Sequence, residues 1–354
     1  MKKIAMVIGD LGTPGGAERV AYDLANEFEQ RGYELTVITF EEKNKPAYLP
    51  VPGRHLHISI PSRPGGVLRQ FWILLKRSWY FRRVFRREQF DHIFAFLETA
   101  NVPCALVNRR SVVSVHLDPD TWTKRQQKLV KLSFHRARRV IAVSAHMKSK
   151  LEHKLGLRNV LRVINPVDSQ LICDLAAEPL VQEQPFILAV GRLNRQKRFD
   201  RLIRAYAESG ISLRCQLIIL GDGEMRATLE RQITELGLQG KVLLKGLAKN
   251  PYRFMARAEF LVMSSDYEGY PLVLIEALVL GCPVISTDCP TGPSEIIHHE
   301  VNGLLSAQGD EQALAEAITR LYSDAALRSK LARKGPGTVI NNDIRRIADS
   351  WLEA

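Results

Sequence analysis

Short apolar runs alternate with longer amphipathic segments along almost the whole chain. The runs at 3–9, 34–40, 92–96 and 111–115 have the length of buried strands, and the segments between them carry apolar residues at helical spacing. A second series of the same kind runs from 185 to 265. This alternation predicts an α/β fold with doubly wound parallel sheets that are covered by helices on both faces.

The length of the chain predicts more than one domain, because 354 residues are more than a single hydrophobic core usually holds together. We predict a first Rossmann-like domain at 1–168 and a second at 185–335, joined by a polar linker that contains proline. A helix within 338–354 is expected to cross back to the first domain, with Ile347 and Trp351 as its anchors. Two facing parallel sheets would place a ligand cleft at the carboxyl ends of their strands.

Composition and charge then limit the kind of protein. The five cysteines are scattered, with no metal-ligand spacing, which is typical of reduced thiols in the cytoplasm. The N-terminal apolar run is too short for a signal peptide, and no run is long enough to span a membrane. The net charge is +12, but residues 1–167 hold 29 Lys and Arg against 14 Asp and Glu. The basic surface therefore belongs to the first half and suits a phosphate-rich partner.

Much of that charge lies at 63–87, which has eight basic residues and no acidic one. On a helical wheel its aromatic and leucine side chains, including Trp72 and Trp79, share one face. The basic residues that flank this face are Arg69, Lys76, Arg83 and Arg87. This pattern favours an amphipathic helix on an anionic membrane surface. Two alternatives are an ordinary helix whose apolar stripe packs on the sheet, and a nucleic-acid surface, which we do not favour because no known binding motif accompanies the charge.

The most informative stretch is 264–297. Glu268 lies in a polar loop, and Glu276 lies within a predicted helix at 272–280 that Gly281 ends. Helical rise puts these carboxylates roughly 12 Å apart, so they fit opposite ends of a nucleotide sugar with the helix N-terminus facing a diphosphate. Taken alone, the pair is also compatible with a turn residue and a solvated helix residue.

Other loops after predicted strands supply further candidates. Gly15 and Gly16 open a helix and allow close approach to its backbone. His116 directly follows a strand, the position where open α/β sheets contact ligands. Arg192 lies at the end of the predicted strand at 185–193 and Lys197 in the polar turn that follows it, and both suit phosphate.

Together these motifs resemble the retaining GT-B glycosyltransferases of family 4. The similarity rests on GGAER at 15–19, VSVHLDP, VINPVD, GRLNRQK at 191–197, GDGE at 221–224 and EGYPLVLIEAL at 268–278, in that order. The later loop STDCPTGPSEII resembles the subgroup that builds bacterial polysaccharides, lipopolysaccharide cores and lipid-linked oligosaccharides.

The resemblance implies a role for each candidate. Glu276 would bind the ribose of a UDP-sugar, Glu268 the donor sugar, and Arg192 and Lys197 the diphosphate. Gly15 and Gly16 would offer backbone amides, and His116 would lie against the donor sugar. The remaining substrate-binding positions are the backbone of Gly246 and Leu247, which would hold the base, and Tyr267 and Gly269 beside Glu268.

The expected activity is transfer of a hexose or N-acetylhexosamine from a UDP-sugar to a lipid-linked glycan at the inner face of the cytoplasmic membrane. No metal or cofactor is expected, because cations and helix N-termini can stabilise the departing diphosphate. The expected partners are the donor, the acceptor and an anionic membrane, without nucleic acid. Alternatives on the same fold are an enzyme of the UDP-N-acetylglucosamine 2-epimerase type and a non-catalytic sugar-nucleotide-binding protein.

Overall fold

The computed structural model describes residues 2–12, 15–41, 50–62, 65–182 and 184–354. They form two compact units. Unit 1 consists of Met1–Pro166 together with Ile344–Ala354, and unit 2 consists of Val167–Asp343.

Strands in both units are short, and the central ones are buried as the apolar runs predicted, whereas three strands at the sheet edges are partly exposed. In chain order they are β1 Lys3–Val7, β2 Glu34–Thr39, β3 Arg54–His57, β4 His92–Phe96, β5 Ser111–Val115, β6 Arg139–Ala142, β7 Val160–Arg162, β8 Phe186–Val190, β9 Gln216–Leu220, β10 Val242–Gly246, β11 Leu261–Met263, β12 Val284–Thr287 and β13 Leu304–Ser306.

Helices follow nearly every strand. They are α1 Gly16–Gln30, α2 Val67–Glu88, α3 Glu98–Val107, α4 Lys124–Phe134, α5 Ala145–Leu155, α6 Ser169–Ala176, α7 Phe199–Glu208, α8 Arg226–Glu235, α9 Tyr252–Met255, α10 Leu272–Val279, α11 Pro293–Ile296, α12 Glu311–Ser323, α13 Ala325–Thr338 and α14 Ile344–Glu353. Within the described residues, no helix has both the length and the apolar character needed to cross a bilayer.

Each unit contains one parallel sheet, which confirms the predicted α/β class. The strand order is β3-β2-β1-β4-β5-β6-β7 in unit 1 and β10-β9-β8-β11-β12-β13 in unit 2. In both, the chain builds one side of the sheet first and then continues on the other side of the first strand. Loops at the carboxyl ends beside that first strand are where such sheets bind ligands.

Two predicted boundaries differ from the structure. The segment after 168 is not a linker, because Asp168 caps α6 by accepting from the Leu171 amide at 3.0 Å. Helix α6 belongs to unit 2, where the Asn250 side chain donates to its Leu175 carbonyl at 2.7 Å. Unit 2 also extends past 335, since α13 continues to Thr338 and the unit ends at Asp343.

The terminal helix α14 packs on the sheet of unit 1. Trp351 is 1% exposed, and its ring stacks on Phe96 at 5.0 Å and meets Phe94 edge-on at 5.2 Å. On the surface, the guanidinium of Arg31 donates to the Arg345 carbonyl at 2.7 Å and pairs with Asp349. Burial of a whole tryptophan therefore fixes the helix, with polar contacts at its rim.

Helix α2 faces the sheet with the side opposite to its aromatic stripe. Arg77 is buried, donates to the Ile60 carbonyl at 2.7 Å and to Glu41 at 3.0 Å, and lies 4.0 Å from the centre of the Phe40 ring. Burial lowers the pKa of Arg77. The stripe instead faces solvent, with Trp72 60% and Trp79 63% exposed. The alternative in which this stripe packs on the sheet is therefore wrong.

Candidate active site

The candidate donor side is built by three loops of unit 2, at 191–198, 264–271 and 288–293. They follow β8, β11 and β12, which are neighbours in one parallel sheet. Because parallel strands end at the same edge, these three loops meet even though they are far apart in sequence.

At the centre of these loops is an ion pair between Lys197 and Glu268. The Lys197 Nζ lies 2.6 Å from Glu268 Oε1, and Glu268 is only 7% exposed. Lys197 ends a short 3₁₀ turn whose cap is Asn194, which accepts from the Lys197 amide at 3.1 Å. The lysine is thus fixed both by its backbone and by its partner carboxylate.

Further contacts tie the first two loops together around that pair. The Gln196 side chain donates to the Tyr267 carbonyl at 2.8 Å, and the Ser264 hydroxyl donates to the Lys197 carbonyl at 2.8 Å. Asp266 accepts from Arg198 at 3.0 Å and from Arg201 at 2.5 Å. These bonds fix the backbone of the two loops and do not involve Lys197 Nζ. The position of the lysine cation is therefore set by the loops around it.

The third loop covers the second. The Thr291 hydroxyl donates to the Glu268 carbonyl. Gly292 has φ +95°, and a Cβ there would lie 2.8 Å from the Gly269 carbonyl oxygen. Only glycine suits such a close approach at positive φ. The STDCPTG sequence is therefore needed to position Gly269 and the neighbouring carboxylate.

Glu276 lies inside α10 and is half-buried. The Tyr252 hydroxyl of α9 donates to its Oε1 at 2.9 Å.

The remaining predicted positions of unit 2 lie on neighbouring loops. Gly246 has φ +76°, and its carbonyl accepts from the Gly221 amide at 2.8 Å, while Leu247 is 53% exposed. Tyr267 and Gly269 flank Glu268. Arg192 is exposed, and within the described part of the chain no carboxylate pairs with it. The structure therefore joins Lys197 to Glu268 but leaves Arg192 uncommitted.

At the corresponding edge of unit 1, His116 follows β5 and is buried. Its Nε2 lies 3.0 Å from the Ser114 hydroxyl, which itself donates to the Ala95 carbonyl at 3.0 Å. With the serine proton used in that bond, the tautomer that fits carries its proton on Nε2, which leaves Nδ1 as an acceptor. Burial lowers the pKa of His116 to about 4, so the ring is neutral at neutral pH.

Glu98 was missed by the sequence reasoning. It begins α3 directly after β4, and Phe96 pairs in register with Ser114, so Glu98 and His116 end neighbouring strands. Its Oε1 is buried and has no hydrogen-bond partner among the described residues. Burial raises the pKa of Glu98 to about 7. An acidic residue directly after an apolar strand, the rule used for His116, was the signal that could have found it.

Gly15 caps the N-terminus of α1 at the same edge, and Gly16 is its first residue. A Cβ at Gly16 would meet nothing within 4 Å, so its backbone is open to a ligand. The residues immediately before, 13 and 14, lie outside the described part of the chain.

The chain contains one Asp-x-Asp sequence, Asp118-Pro119-Asp120, near His116. Both carboxylates pair with Lys150, at 2.7 and 2.9 Å, and Asp120 also pairs with Lys154 at 2.5 Å. Across the described ranges, no group of three or more His, Cys, Asp or Glu is arranged to hold a metal ion.

Comparison with protein families and curated proteins places this geometry in context. Residues 14–171 match the family described as Glycosyltransferase Family 4, and residues 174–338 match Glycosyl transferases group 1. An uncharacterized glycosyltransferase of Methanocaldococcus jannaschii is 32% identical over 78% of this chain and 82% of its own. Two further relatives are glycosyltransferases with stated pathways.

The first is the N-acetylgalactosamine-N,N'-diacetylbacillosaminyl-diphospho-undecaprenol 4-alpha-N-acetylgalactosaminyltransferase of Campylobacter jejuni, 29% identical over 94% of each chain. The second is the lipopolysaccharide core biosynthesis glycosyltransferase LpsE of Rhizobium meliloti, 28% identical over 97% of this chain and 96% of its own. The relatives therefore work in lipid-linked glycan and lipopolysaccharide assembly.

Solved structures show the same fold. Sucrose-phosphate synthase from Thermosynechococcus elongatus superposes with a TM-score of 0.86 over 99% of this chain and 97% of its own, at 21% identity. Anabaena HepE in complex with UDP-glucose superposes with a TM-score of 0.81 over 100% and 99% of the two chains, at 24% identity. At these identities the likeness establishes the fold alone.

Proposed function

We propose, since the chain belongs to the family 4-type glycosyltransferases with the GT-B fold, that it transfers a hexose or N-acetylhexosamine from a UDP-sugar to a lipid-linked glycan. The observation that carries this proposal is the Lys197–Glu268 pair, partly buried and framed at the carboxyl edge of the unit 2 sheet. Such a pair places a cation for a diphosphate beside a carboxylate for sugar hydroxyls.

In this proposal the donor lies along the loops of unit 2. Lys197 and Arg192 stabilise the negative charge that grows on the diphosphate as the anomeric C–O bond breaks. Glu268 accepts hydrogen bonds from donor sugar hydroxyls, and Glu276, oriented by Tyr252, accepts from the ribose. Gly246 and Leu247 hold the base. Because the protein supplies these cations itself, no metal is required for leaving-group stabilisation.

The acceptor lies at the carboxyl edge of unit 1. Glu98 offers its uncommitted Oε1 to the acceptor glycan, and neutral His116, which the resemblance places against the donor sugar, offers Nδ1 as an acceptor. Both suit sugar hydroxyls, which are donors. The open backbone at Gly16 adds amides at a helix N-terminus. Transfer with retention follows if the acceptor oxygen attacks the face that the diphosphate leaves, and a phosphate oxygen takes the proton.

The membrane is the proposed location, with α2 as the docking helix. Leucine and tryptophan side chains on its exposed stripe would enter the interface, and Arg69, Lys76, Arg83 and Arg87 would contact anionic headgroups. The guanidinium of Arg83 lies 5.7 Å from the Trp79 ring centre, so the two parts of this surface are adjacent. The relatives that act on diphospho-undecaprenol glycans and lipopolysaccharide support this location.

One experiment tests the reaction. Release of UDP is measured from a panel of UDP-sugars, with and without a membrane lipid extract, in the presence of EDTA. We expect one preferred sugar, lipid-stimulated release and retention of anomeric configuration in the product. Release without any acceptor, together with a free rearranged sugar, would instead identify an epimerase-type enzyme. Bound UDP without turnover of any sugar would contradict the transferase proposal.

A second experiment tests the location. Arg83→Glu with Arg87→Glu should abolish sedimentation with anionic liposomes, because two attractive charges become repulsive. The matched control is Arg333→Glu with Lys334→Glu, which makes the same charge change at exposed sites of α13 in unit 2. Equal loss in both variants would show that net charge, and not α2, holds the protein on the membrane.

A further inference from the structure

A cavity of about 270 Å³ lies at the C-terminal end of α2, away from the groups assigned to the reaction. Its walls come from α2, from the end of α3 and from the turn after α4. The lining residues are Arg82, Phe85, Arg86, Leu106, Val107, Asn108 and Arg136. A cavity of this size accommodates one phosphate group with part of its substituents.

The chemistry of the cavity is that of an anion site. Its three arginines come from two different elements, and none of the lining residues is acidic. Within the part of the chain that the structure describes, no carboxylate pairs with Arg82, Arg86 or Arg136. Guanidinium groups bind phosphate oxygens in a bidentate way, and converging arginines suit phosphate better than a single carboxylate.

The cavity continues the exposed stripe of α2. Trp72, Leu75, Trp79, Arg82 and Arg86 follow one another at spacings of three, four, three and four residues, which puts them on one line along the helix. The N-terminal part of this line is apolar and its last two turns are basic. From Trp79 to Arg86 the axial distance is about 10 Å by helical rise, so the arginines lie within two turns of the tryptophan that would enter the interface, at the level of the headgroups beside it.

The cavity is also remote from the candidate active site in unit 1. Arg77 bonds to the Ile60 carbonyl near the carboxyl edge of the sheet, and Arg86 lies nine residues further along α2, about 13 Å away by helical rise. Asn108 and Arg136 lie just before β5 and β6, at the amino edge. His116 and Glu98 end strands at the opposite edge. A ligand in the cavity therefore does not occupy the space of the reacting sugars.

We propose that this cavity binds the phosphodiester headgroup of an anionic membrane phospholipid, so that α2 docks with lipid specificity and not only through general charge. The inference rests on the membrane location proposed above. The occupant we commit to is a bilayer phospholipid, because the arginines continue an aromatic stripe whose own place is the acyl-headgroup boundary. Free phosphate and a polyprenyl diphosphate carry similar phosphate oxygens, and the test below distinguishes their binding from that of a phospholipid.

The test compares two double variants that remove the same charge. Arg82→Gln with Arg136→Gln disrupts the cavity, and Arg83→Gln with Arg87→Gln removes two arginines from the flank of the same helix. Binding is measured by sedimentation and tryptophan fluorescence with vesicles of phosphatidylcholine that contain either phosphatidylglycerol or, at equal surface charge, oleate. Retained circular dichroism and melting temperature establish that each variant is folded.

We expect the wild type to prefer phosphatidylglycerol over oleate vesicles, and the cavity variant to lose that preference with a roughly 10- to 30-fold weaker binding. The flank variant should weaken binding to both vesicles equally and keep the preference. An unchanged preference in the cavity variant would overturn the proposal. So would tight binding of inorganic phosphate alone, or a preference for vesicles that carry a polyprenyl diphosphate over those with phosphatidylglycerol.

Transfer to a short-chain soluble acceptor separates this inference from the proposed function. The cavity variant should transfer sugar to that acceptor at the wild-type rate, because no lining residue contacts the reacting groups. Normal soluble transfer with unchanged lipid preference would remove the lipid site and leave the transferase intact. Absence of transfer in the wild type would instead contradict the proposed function, whatever the vesicles show.

Discussion

The carboxyl edges of the two sheets differ in how their polar groups are paired. In unit 2 the charged side chains are joined to one another: Lys197 to Glu268, Asp266 to Arg198 and Arg201, and Tyr252 to Glu276. In unit 1 the buried polar groups keep free capacity: Glu98 Oε1, Asn101 Oδ1 and Trp122 Nε1 have no hydrogen-bond partner among the described residues. Around Lys197 the unit 2 edge is charged and fixed, whereas around Glu98 the unit 1 edge keeps uncommitted polar atoms beside the Asp118–Lys150 ion pair. We call these the charged edge and the open edge.

This difference matches the chemistry of the two proposed substrates. A diphosphate brings charge that increases during the reaction, so it needs cations whose orientation costs no further reorganisation. A glycan acceptor brings hydroxyl groups, which are recognised by uncommitted acceptors and donors in a low-dielectric setting. The same fold thus places a preorganised electrostatic site on one sheet and a hydrogen-bonding site on the other.

The largest expected effect lies on the charged edge. Lys197→Ala should lower kcat by roughly a hundred- to a thousandfold, because a cation that stabilises developing charge is lost from a partly buried site. Steady-state kinetics and UDP titration measure the change. The matched control is Arg195→Ala in the same turn, which removes an exposed cation and should change kcat less than about twofold. Similar losses in both variants would show that the loop needs only net charge.

On the open edge, the pH dependence of stability tests Glu98. Its pKa is about 7 in the folded protein and 4.5 ordinarily, so between these values only the unfolded chain ionises. The free energy of unfolding of the wild type, relative to Glu98→Gln, should therefore be highest below pH 4.5 and fall as the pH rises through 7. The upper limit of the fall is about 3 kcal/mol.

Urea denaturation across this pH range measures the effect. The control is Glu152→Gln, which alters a half-exposed carboxylate of α5 that pairs with Lys148 at 3.8 Å. Parallel curves for wild type and Glu98→Gln would mean that Glu98 is solvated and that unit 1 has no open carboxyl group. The acceptor assignment of Glu98 would then fail as well.

A smaller effect is expected at Glu276. Glu276→Gln should weaken binding of UDP by roughly tenfold and lower kcat/KM by the same factor, since ribose contacts exist in both the ground and transition states. Calorimetric titration of UDP measures the affinity. Tyr252→Phe, which removes the bond that orients Glu276, should give a smaller loss in the same direction. Unchanged UDP affinity in Glu276→Gln would remove the ribose assignment.

Sequence patterns were sufficient to predict a structural feature wherever that feature depends on one helix or strand alone. The helix that contains Glu276 and its end at Gly281, with φ +65°, follow from local periodicity and from glycine's tolerance of positive φ. The pairing of Lys197 with Glu268 was not predicted, because the two residues lie 71 positions apart and only the neighbouring order of β8 and β11 brings them together. The predicted linker failed for a similar reason, since α6 is held by residues of α9.

What the sequence alone determined is the α/β class with two parallel sheets, the family, the candidate carboxylates and cations, and the aromatic and basic character of α2. These properties depend on residue type, spacing and periodicity, which are local. Only the tertiary structure decided which face of α2 is buried, that Glu98 is desolvated, that His116 is neutral, and that three arginines share one cavity. Those properties depend on what surrounds each side chain, and residues distant in sequence supply the surroundings.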